Sequence, residues 1–220
     1  MSRQSDKVGR RAIVTGLGIG AAALAMGEGG ARATDGPHWQ PTPEPQDAWM
    51  ELPGRHRFLF DSTSPEGGGH ALFYARNFFA ANKEGYGLES SALAVIVVLR
   101  SQSTPFGYND VVWKKYGKEL SKMTDLKKVH MTNPYDEAER GLANRGVKLS
   151  ELTAYGVHFA ICGMATMGIS HGLAARTHGD AGDIHKELVA NLIANGHLVP
   201  AGIVAVNRAQ ERGYAFATAG

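Results

Sequence analysis

The stretch that decides the fold runs from Tyr155 to Gly163 and reads YGVHFAICG. Residues 157–161 predict a short buried strand, and the chain's single cysteine, Cys162, stands where that strand stops. The residues from Met164 onward are typical of the start of a helix. In an open α/β sheet, ligands and reactive groups collect just outside the carboxyl ends of the strands. We therefore expect a thiol site at this edge, although a lone cysteine often only fills space in a core.

Strand and helix patterns lie on both sides of this stretch. The run ALAVIVVL at 92–99 is typical of a central parallel strand that is covered on both faces. Residues 57–61 predict a first strand, and apolar residues at helical spacing predict a helix from about His70 to Lys83. The same patterns predict helices over 109–116, 135–144, 149–154 and 203–212, and strands over 198–199 and 214–216. This alternation indicates the α/β class.

Composition excludes several classes of protein. The chain has 220 residues, which suits one ordinary domain, and a formal net charge of +2 with scattered Lys and Arg. We therefore expect no nucleic-acid partner. One cysteine excludes an intramolecular disulfide. No apolar run reaches the length of about 18 residues that a spanning helix needs, so we expect no stable membrane insertion of the mature chain.

Residues 1–33 predict an export signal. The pair Arg10-Arg11 precedes a mildly apolar run at 12–26, and residues 31–33 (ARA) fit a small-x-small cleavage site. The paired arginines resemble a bacterial twin-arginine signal. An ordinary export signal and an uncleaved anchor are the alternatives. Export by the twin-arginine route would place the mature protein in the periplasm.

Residues 34–54 form a proline-rich leader, which we expect to be extended, ahead of a domain over 55–220. Trp39, Trp49 and Met50 are its apolar exceptions, and they are candidates for holding the leader against the domain surface. Further along, residues 67–69 are three glycines at a predicted helix start. They lack the lysine and spacing of a phosphate-binding loop, so we expect no nucleotide there.

The segment 164–195 separates Cys162 from the end of the chain, and we expect it to form a helical insertion of two helices joined near 177–182. It carries three histidines spaced by sevens, at His171, His178 and His185. On one unbroken helix they would share nearly one face, which leaves a metal or haem site open as an alternative. Zinc and copper sites usually have closer pairs, so we expect no metal and no cofactor.

The closing segment carries a family resemblance. Residues 197–216 read HLVPAGIVAVNRAQERGYAF, a short strand, a turn, an amphipathic helix and a last strand. Taken with GVHFAICG at 156–163, this resembles the DsrE/DsrF-like family. In that family a strand of the type G-V-x-F-x-x-C-G precedes a helix, and the chain closes with V-P-A-G-V, a helix and G-Y-A-Y. The resemblance covers roughly 57–216.

The resemblance implies a three-layer α/β sandwich with a mostly parallel sheet of about five strands. It also implies assembly into homo-oligomers, trimers or hexamers, and sulfur carriage as a persulfide on the cysteine matched by Cys162. The chain would then be an exported sulfur-handling protein, a sulfurtransferase or a sulfur-carrier subunit, with a sulfur donor or acceptor protein as its partner. A fold does not fix a function, and the insertion at 164–195 departs from the family pattern.

The resemblance implies that Cys162 is the sulfur-accepting nucleophile. The residues around it add that Gly163 would allow close approach to Cys162 and that the following helix would aim its first N–H groups at the sulfur. His70 and Arg100 are expected to line the same edge and to bind substrate. His158 lies four residues earlier on the strand, too far to be an obvious base. The alternative is a non-catalytic oligomeric module that binds a small ligand or a partner protein, with a structural cysteine.

Overall fold

The computed structural model of the chain describes residues 44–137 and 139–220. The predicted export signal and Trp39 lie outside the described residues. A five-stranded sheet, parallel throughout, organises the described part in the order β4-β3-β2-β1-β5. Its strands are β1 His56–Ser62, β2 Leu93–Leu99, β3 His158–Cys162, β4 Gly196–Val199 and β5 Ala215–Thr218. The α/β prediction with a parallel sheet of about five strands is confirmed.

In residues 44–137 and 139–220, six α-helices connect the strands and flank the sheet. They are α1 Pro65–Tyr86, α2 Asp110–Met123, α3 Leu149–Ala154, α4 Gly163–Thr177, α5 Ala181–Ala190 and α6 Gly202–Glu211. Helices α1 to α5 contribute to the larger core on one face, while α6 packs on the other face. This arrangement is a three-layer sandwich. Within the described part of the chain, no helix combines the length and the apolar character that crossing a membrane requires.

Strand β2 explains the continuous apolar run in the sequence. Every one of its residues is buried, because helices cover both faces of the sheet. Val95, Val97 and Leu99 enter the core beneath α1 to α5, while Ile96 and Val98 enter the core beneath α6. Burying one such side chain stabilises the fold by about 1.5–3 kcal/mol. The strand therefore anchors both cores.

The N-terminal leader differs from the extended form that the sequence predicts. Residues Pro45–Met50 form a 3-10 helix, and Met50 is fully buried. The hydroxyl of Tyr214 donates a hydrogen bond of 2.8 Å to the Met50 carbonyl. Trp49 stacks on His197 with ring centroids 4.2 Å apart. The expectation that Trp49 and Met50 hold the leader on the domain is confirmed. Met50 is buried and Trp49 is partly buried, and these contacts fix the leader in a helical turn.

The predicted helix over 135–144 is wrong. The structure has a short 3-10 helix at Pro134–Asp136 and turns over 140–146. Tertiary contacts override the local preference: the Asn133 amide donates to the carbonyls of Phe106 and Tyr108, at 2.8 Å each. These bonds hold the loop against the sheet edge instead of letting a helix continue.

The three glycines at the start of α1 serve close packing. A Cβ atom on Gly67 would lie 2.2 Å from the carbonyl oxygen of Ala219, and one on Gly69 would lie 2.6 Å from the amide of Asn144. Ser64 caps the helix by accepting the N–H of Gly67 at 2.9 Å. Close packing against Ala219 and Asn144 therefore accounts for Gly67 and Gly69.

The segment at 164–195 contains two helices, as predicted, because α4 ends at Thr177 and α5 begins at Ala181. His171 lies on α4, His178 at its left-handed C-cap and His185 on α5. Among the described residues, none of these three belongs to a group of side chains able to share a metal ion. The break between the helices removes the common face that an unbroken helix would give.

Candidate functional site

Cys162 is the last residue of β3 and the N-cap of α4. Its Sγ accepts the backbone N–H of Ala165 at 3.4 Å, and the residue is 7% exposed. N-caps are usually Ser, Thr, Asp or Asn, so a thiol takes the place of an oxygen here. The positive end of the helix dipole favours negative charge at this position, which is the state in which a cysteine reacts.

Gly163 is required by the packing around the thiol. A Cβ atom there would lie 2.8 Å from the carbonyl oxygen of Val199, at the end of neighbouring strand β4. The next amide, of Met164, donates to the carbonyl of Pro200 at 3.3 Å. The ends of β3 and β4 therefore meet directly at the cysteine, and Gly163 allows this approach of the two backbones; its part in binding substrate at Cys162 stays a prediction.

A buried chain of two hydrogen bonds holds the backbone carbonyl of the cysteine. The hydroxyl of Thr166 donates to the Cys162 carbonyl at 2.9 Å, and Tyr108 donates to Thr166 at 3.0 Å. Burial raises the pKa of Tyr108 well above its usual value, so its phenol stays protonated. The pair fixes the turn on which the thiol sits. Sequence reasoning missed both residues because Tyr108 lies 58 positions before Thr166.

Arg100 lies beside the thiol, as the sequence predicts. Leu99 of β2 pairs with Ile161 of β3. The residues that follow them, Arg100 and Cys162, are therefore neighbours at the sheet edge. Arg100 binds Asp61 through two hydrogen bonds of 2.8 Å each. Its pKa is raised, first by the hydrogen bond to Asp61 and also by the negative charge of a Cys162 thiolate.

Asp61 holds the guanidinium in place. The carboxylate is 2% exposed and lies at the end of β1, so three adjacent strands contribute Asp61, Arg100 and Cys162 in turn. A Cβ atom on Gly202, the first residue of α6, would lie 2.5 Å from the Cβ of Arg100. The N-terminus of α6, whose N-cap side chain makes no capping bond, therefore packs against the arginine stem.

The charges at this edge suit an anionic ligand. It combines a thiol, a guanidinium and the amide ends of α4 and α6. Helix N-termini and arginine both bind anions, and together they favour a negatively charged ligand over a neutral one.

His70 is not brought to the thiol. It lies on α1 beside the C-terminus, where a Cβ on Gly220 would be 3.1 Å from its Nδ1, and its Nε2 is 4.0 Å from a Glu66 carboxylate oxygen. Strands β2 and β1 lie between β3 and β5, a separation of roughly 14 Å at about 4.8 Å per strand. The sequence placed His70 at the correct edge but could not show the strand order.

A histidine pair occupies the opposite end of β3. Nδ1 of His158 lies 2.8 Å from Nε2 of His197 on β4, and Trp49 stacks over His197. Partial burial lowers the pKa of both imidazoles, that of His197 to about 4 with a further contribution from His158. His158 is thus remote from the thiol, as predicted, while its pairing across strands was not foreseeable.

This pair predicts a pH-dependent stability. A histidine whose folded pKa lies below its unfolded value of about 6.5 stabilises the fold above that pH, and the contribution is lost as pH falls toward 4. Because both rings are partly exposed to solvent, we expect a loss of about 1–2 kcal/mol, or a melting temperature lower by about 2–8 °C. Thermal unfolding between pH 6.5 and 4 measures it. The His197→Gln variant should show a shallower pH slope, and an identical slope would contradict the assignment.

Fold and site together define a parallel α/β protein with a helix-capping thiol at the carboxyl edge of its sheet. No family model matches the chain, and no curated protein matches it. Among solved structures it is similar to a protein of unknown function from Methanobacterium thermoautotrophicum, with 17% identity over 74% of this chain and 99% of that chain and a TM-score of 0.38. The DsrE/DsrF-like resemblance rests on the sequence motifs and stays a prediction.

Proposed function

We propose that the chain carries sulfur as a persulfide on Cys162. The observation that supports this most strongly is the position of the thiol, which caps α4 directly beside Arg100 at the carboxyl edge of the sheet. A cysteine attacks another sulfur atom as its thiolate, and a helix N-terminus and a guanidinium are groups that interact favourably with negative charge. The family resemblance independently assigns sulfur carriage to the same residue.

The proposed transfer needs no external oxidant when the donor is thiosulfate or another sulfane-sulfur compound. The Cys162 thiolate attacks the outer sulfur of the donor, and a new S–S bond forms while the donor's S–S bond breaks. Sulfite leaves with the electron pair, and Cys162 holds the persulfide. An acceptor thiolate then attacks the outer sulfur, forms its own persulfide and releases the Cys162 thiolate.

The surrounding residues have defined parts in this scheme. The Ala165 amide, which already donates to Sγ, stabilises negative charge on the sulfur. The guanidinium of Arg100 attracts an anionic donor and is positioned by its two bonds to Asp61. Arg100 is therefore proposed to bind the donor, and Asp61 to position Arg100.

A second candidate is a non-catalytic binding module in which Cys162 is structural. It is favoured by the burial of that residue, which leaves it 7% exposed. Alkylation separates the two candidates. If the thiol works, iodoacetamide should modify native Cys162 at a rate within about tenfold of the rate in urea-unfolded protein. If modification of the native protein proceeds only as fast as the protein unfolds, the cysteine is structural and sulfur carriage is contradicted.

We further propose self-association and export. Exposed apolar side chains surround the thiol edge and support contacts with a second copy or with a sulfur donor or acceptor; they are Met164, Met167, Leu198, Ile203 and Val204. Sedimentation at micromolar concentration should show a trimer or hexamer, and a single-chain mass would contradict this.

Export predicts a mature periplasmic chain that begins near Thr34, which N-terminal sequencing tests.

A further inference from the structure

We propose that His130, Glu137 and Glu139 form a binding site for one divalent transition-metal ion of the Zn²⁺ type. One nitrogen or oxygen ligand atom from each of these residues lies within 4.8 Å of the other two. All three belong to the long connection between α2 and α3, which precedes α3 and β3 in the chain. Long irregular loops in compact domains are commonly functional, which makes this loop a reasonable place for an ion.

The imidazole of His130 is the strongest indication. Its side chain is 3% exposed, and no group in the described ranges hydrogen-bonds to the ring. The closest carboxylate oxygen, from Glu137, is 3.9 Å from Nδ1 and so beyond hydrogen-bond distance. The ring is therefore almost fully enclosed, with a carboxylate as the neighbour of Nδ1. A metal ion between the ring and the carboxylates would bind Nδ1 directly, since imidazole nitrogen and carboxylate oxygen are both zinc ligands.

The backbone fixes the direction of that ring. The N–H of His130 donates to the Ser121 hydroxyl at 3.0 Å. Its carbonyl packs against Gly117 of α2, where an added Cβ would lie 1.9 Å from the oxygen. Both contacts hold His130 against α2 and leave the imidazole facing the two glutamates. The nitrogen ligand is thus positioned before any ion arrives.

The negative charge of the two glutamates is only partly neutralised by neighbouring side chains, which suits a divalent cation. The two carboxylates of the cluster carry a charge of −2 when both are ionised. The ammonium of Lys128 contacts Glu139 at 2.6 Å and supplies a single positive charge. The Thr132 hydroxyl donates to Glu137. A divalent ion would replace the Lys128 ammonium on Glu139 and neutralise both carboxylates.

The geometry requires small movements. Ligand atoms bound to one ion at about 2.0–2.2 Å lie roughly 3.0–3.4 Å apart, so the glutamates must close by about 1–2 Å. Their side chains are about a third exposed, at 37% and 34%, and are free to rotate. Imidazole with carboxylates suits Zn²⁺ or Mn²⁺ better than Mg²⁺ or Ca²⁺, which prefer oxygen. A cavity of about 530 Å³ borders His130 and Glu139 and gives an ion access from solvent.

Calorimetric titration of the full chain with ZnCl₂ tests the site. We expect binding that weakens by more than about tenfold in Glu137→Gln and in Glu139→Gln, since loss of even an outer partner of a ligand costs about 10–100-fold. These side chains are partly exposed, so both variants should fold. His185→Gln and Cys162→Ser are the matched controls, because they remove other zinc-binding groups, and both should keep this site's affinity.

Lys128→Met gives an independent test. It frees Glu139 of its competing ammonium while keeping the aliphatic stem, and it should tighten Zn²⁺ binding by about threefold to fivefold, the effect of one surface ion pair. Equal or weaker Zn²⁺ binding in Lys128→Met would contradict competition between Lys128 and the ion for the Glu139 carboxylate. The proposal is overturned if wild-type protein binds no Zn²⁺, or if both glutamine variants bind as tightly as wild type.

Discussion

The Cys162→Ser variant should carry no protein-bound sulfane sulfur after incubation with thiosulfate. The expected effect is a complete loss, because the chain has one cysteine and a serine hydroxyl cannot form a persulfide. Cyanide treatment, which releases the outer sulfur of a persulfide as thiocyanate, measures the bound sulfur. Serine retains an N-cap oxygen for the Ala165 amide, so the variant should fold and the loss should reflect chemistry.

Ser170→Ala provides the matched control for that experiment. Ser170 is a buried residue of the same helix, and its hydroxyl donates only to the Met167 carbonyl, away from the sulfur. Sulfur loading should be unchanged in this variant. If Cys162→Ser loaded as much sulfur as wild type, the sulfur would be bound elsewhere and the proposed function would be wrong.

Arg100→Met should lower the stability of the protein by about 3 kcal/mol, or the melting temperature by about 6–12 °C. The reason is the burial of Asp61, which is 2% exposed and loses both of its 2.8 Å hydrogen bonds when the guanidinium is removed. An unpaired charge buried in this way is strongly destabilising. The same variant should load sulfur more slowly, since the cation that attracts the donor is gone. Thermal unfolding and the rate of persulfide formation measure the two effects.

A second substitution distinguishes the destabilising effect of the unpaired Asp61 charge from that of the changed shape of residue 100. Replacing Asp61 by Asn in the Arg100→Met background removes the buried charge while keeping nearly the same side-chain volume. This double variant should recover at least about 1 kcal/mol relative to Arg100→Met alone, although loading stays slow. Stability of Arg100→Met within about 0.5 kcal/mol of wild type, an effect typical of an ordinary surface substitution, would contradict the assigned role of the pair.

The fold was predictable where local pattern and burial agree. The apolar run at 92–99 is typical of a strand covered on both faces, and residues Leu93–Leu99 of it form β2. The strand before Cys162 and the helix after it were also predictable, because a glycine and a change of periodicity mark the boundary. Arg100 was placed correctly at the thiol edge because it directly follows that central strand.

Features that depend on pairing between distant segments could not be predicted. His70 lies at the same edge of the sheet as the thiol but too far from it, because strand order, not sequence spacing, sets its distance from β3. The His158–His197 pair joins residues 39 positions apart. The helix predicted over 135–144 gave way to a loop because Asn133 makes better hydrogen bonds with the segment near Tyr108. The same loop gathers His130 with the two glutamates, a grouping without a recognisable spacing motif.

An intact mass spectrum of the wild-type protein, before and after incubation with thiosulfate, tests the central claim most directly. Sulfur carriage predicts a gain of about 32 mass units for each sulfur atom, which a reducing agent removes and which prior alkylation of Cys162 prevents. An unchanged mass for protein whose thiol is free and unmodified would contradict the proposed function. Cys162 would then be a structural helix cap.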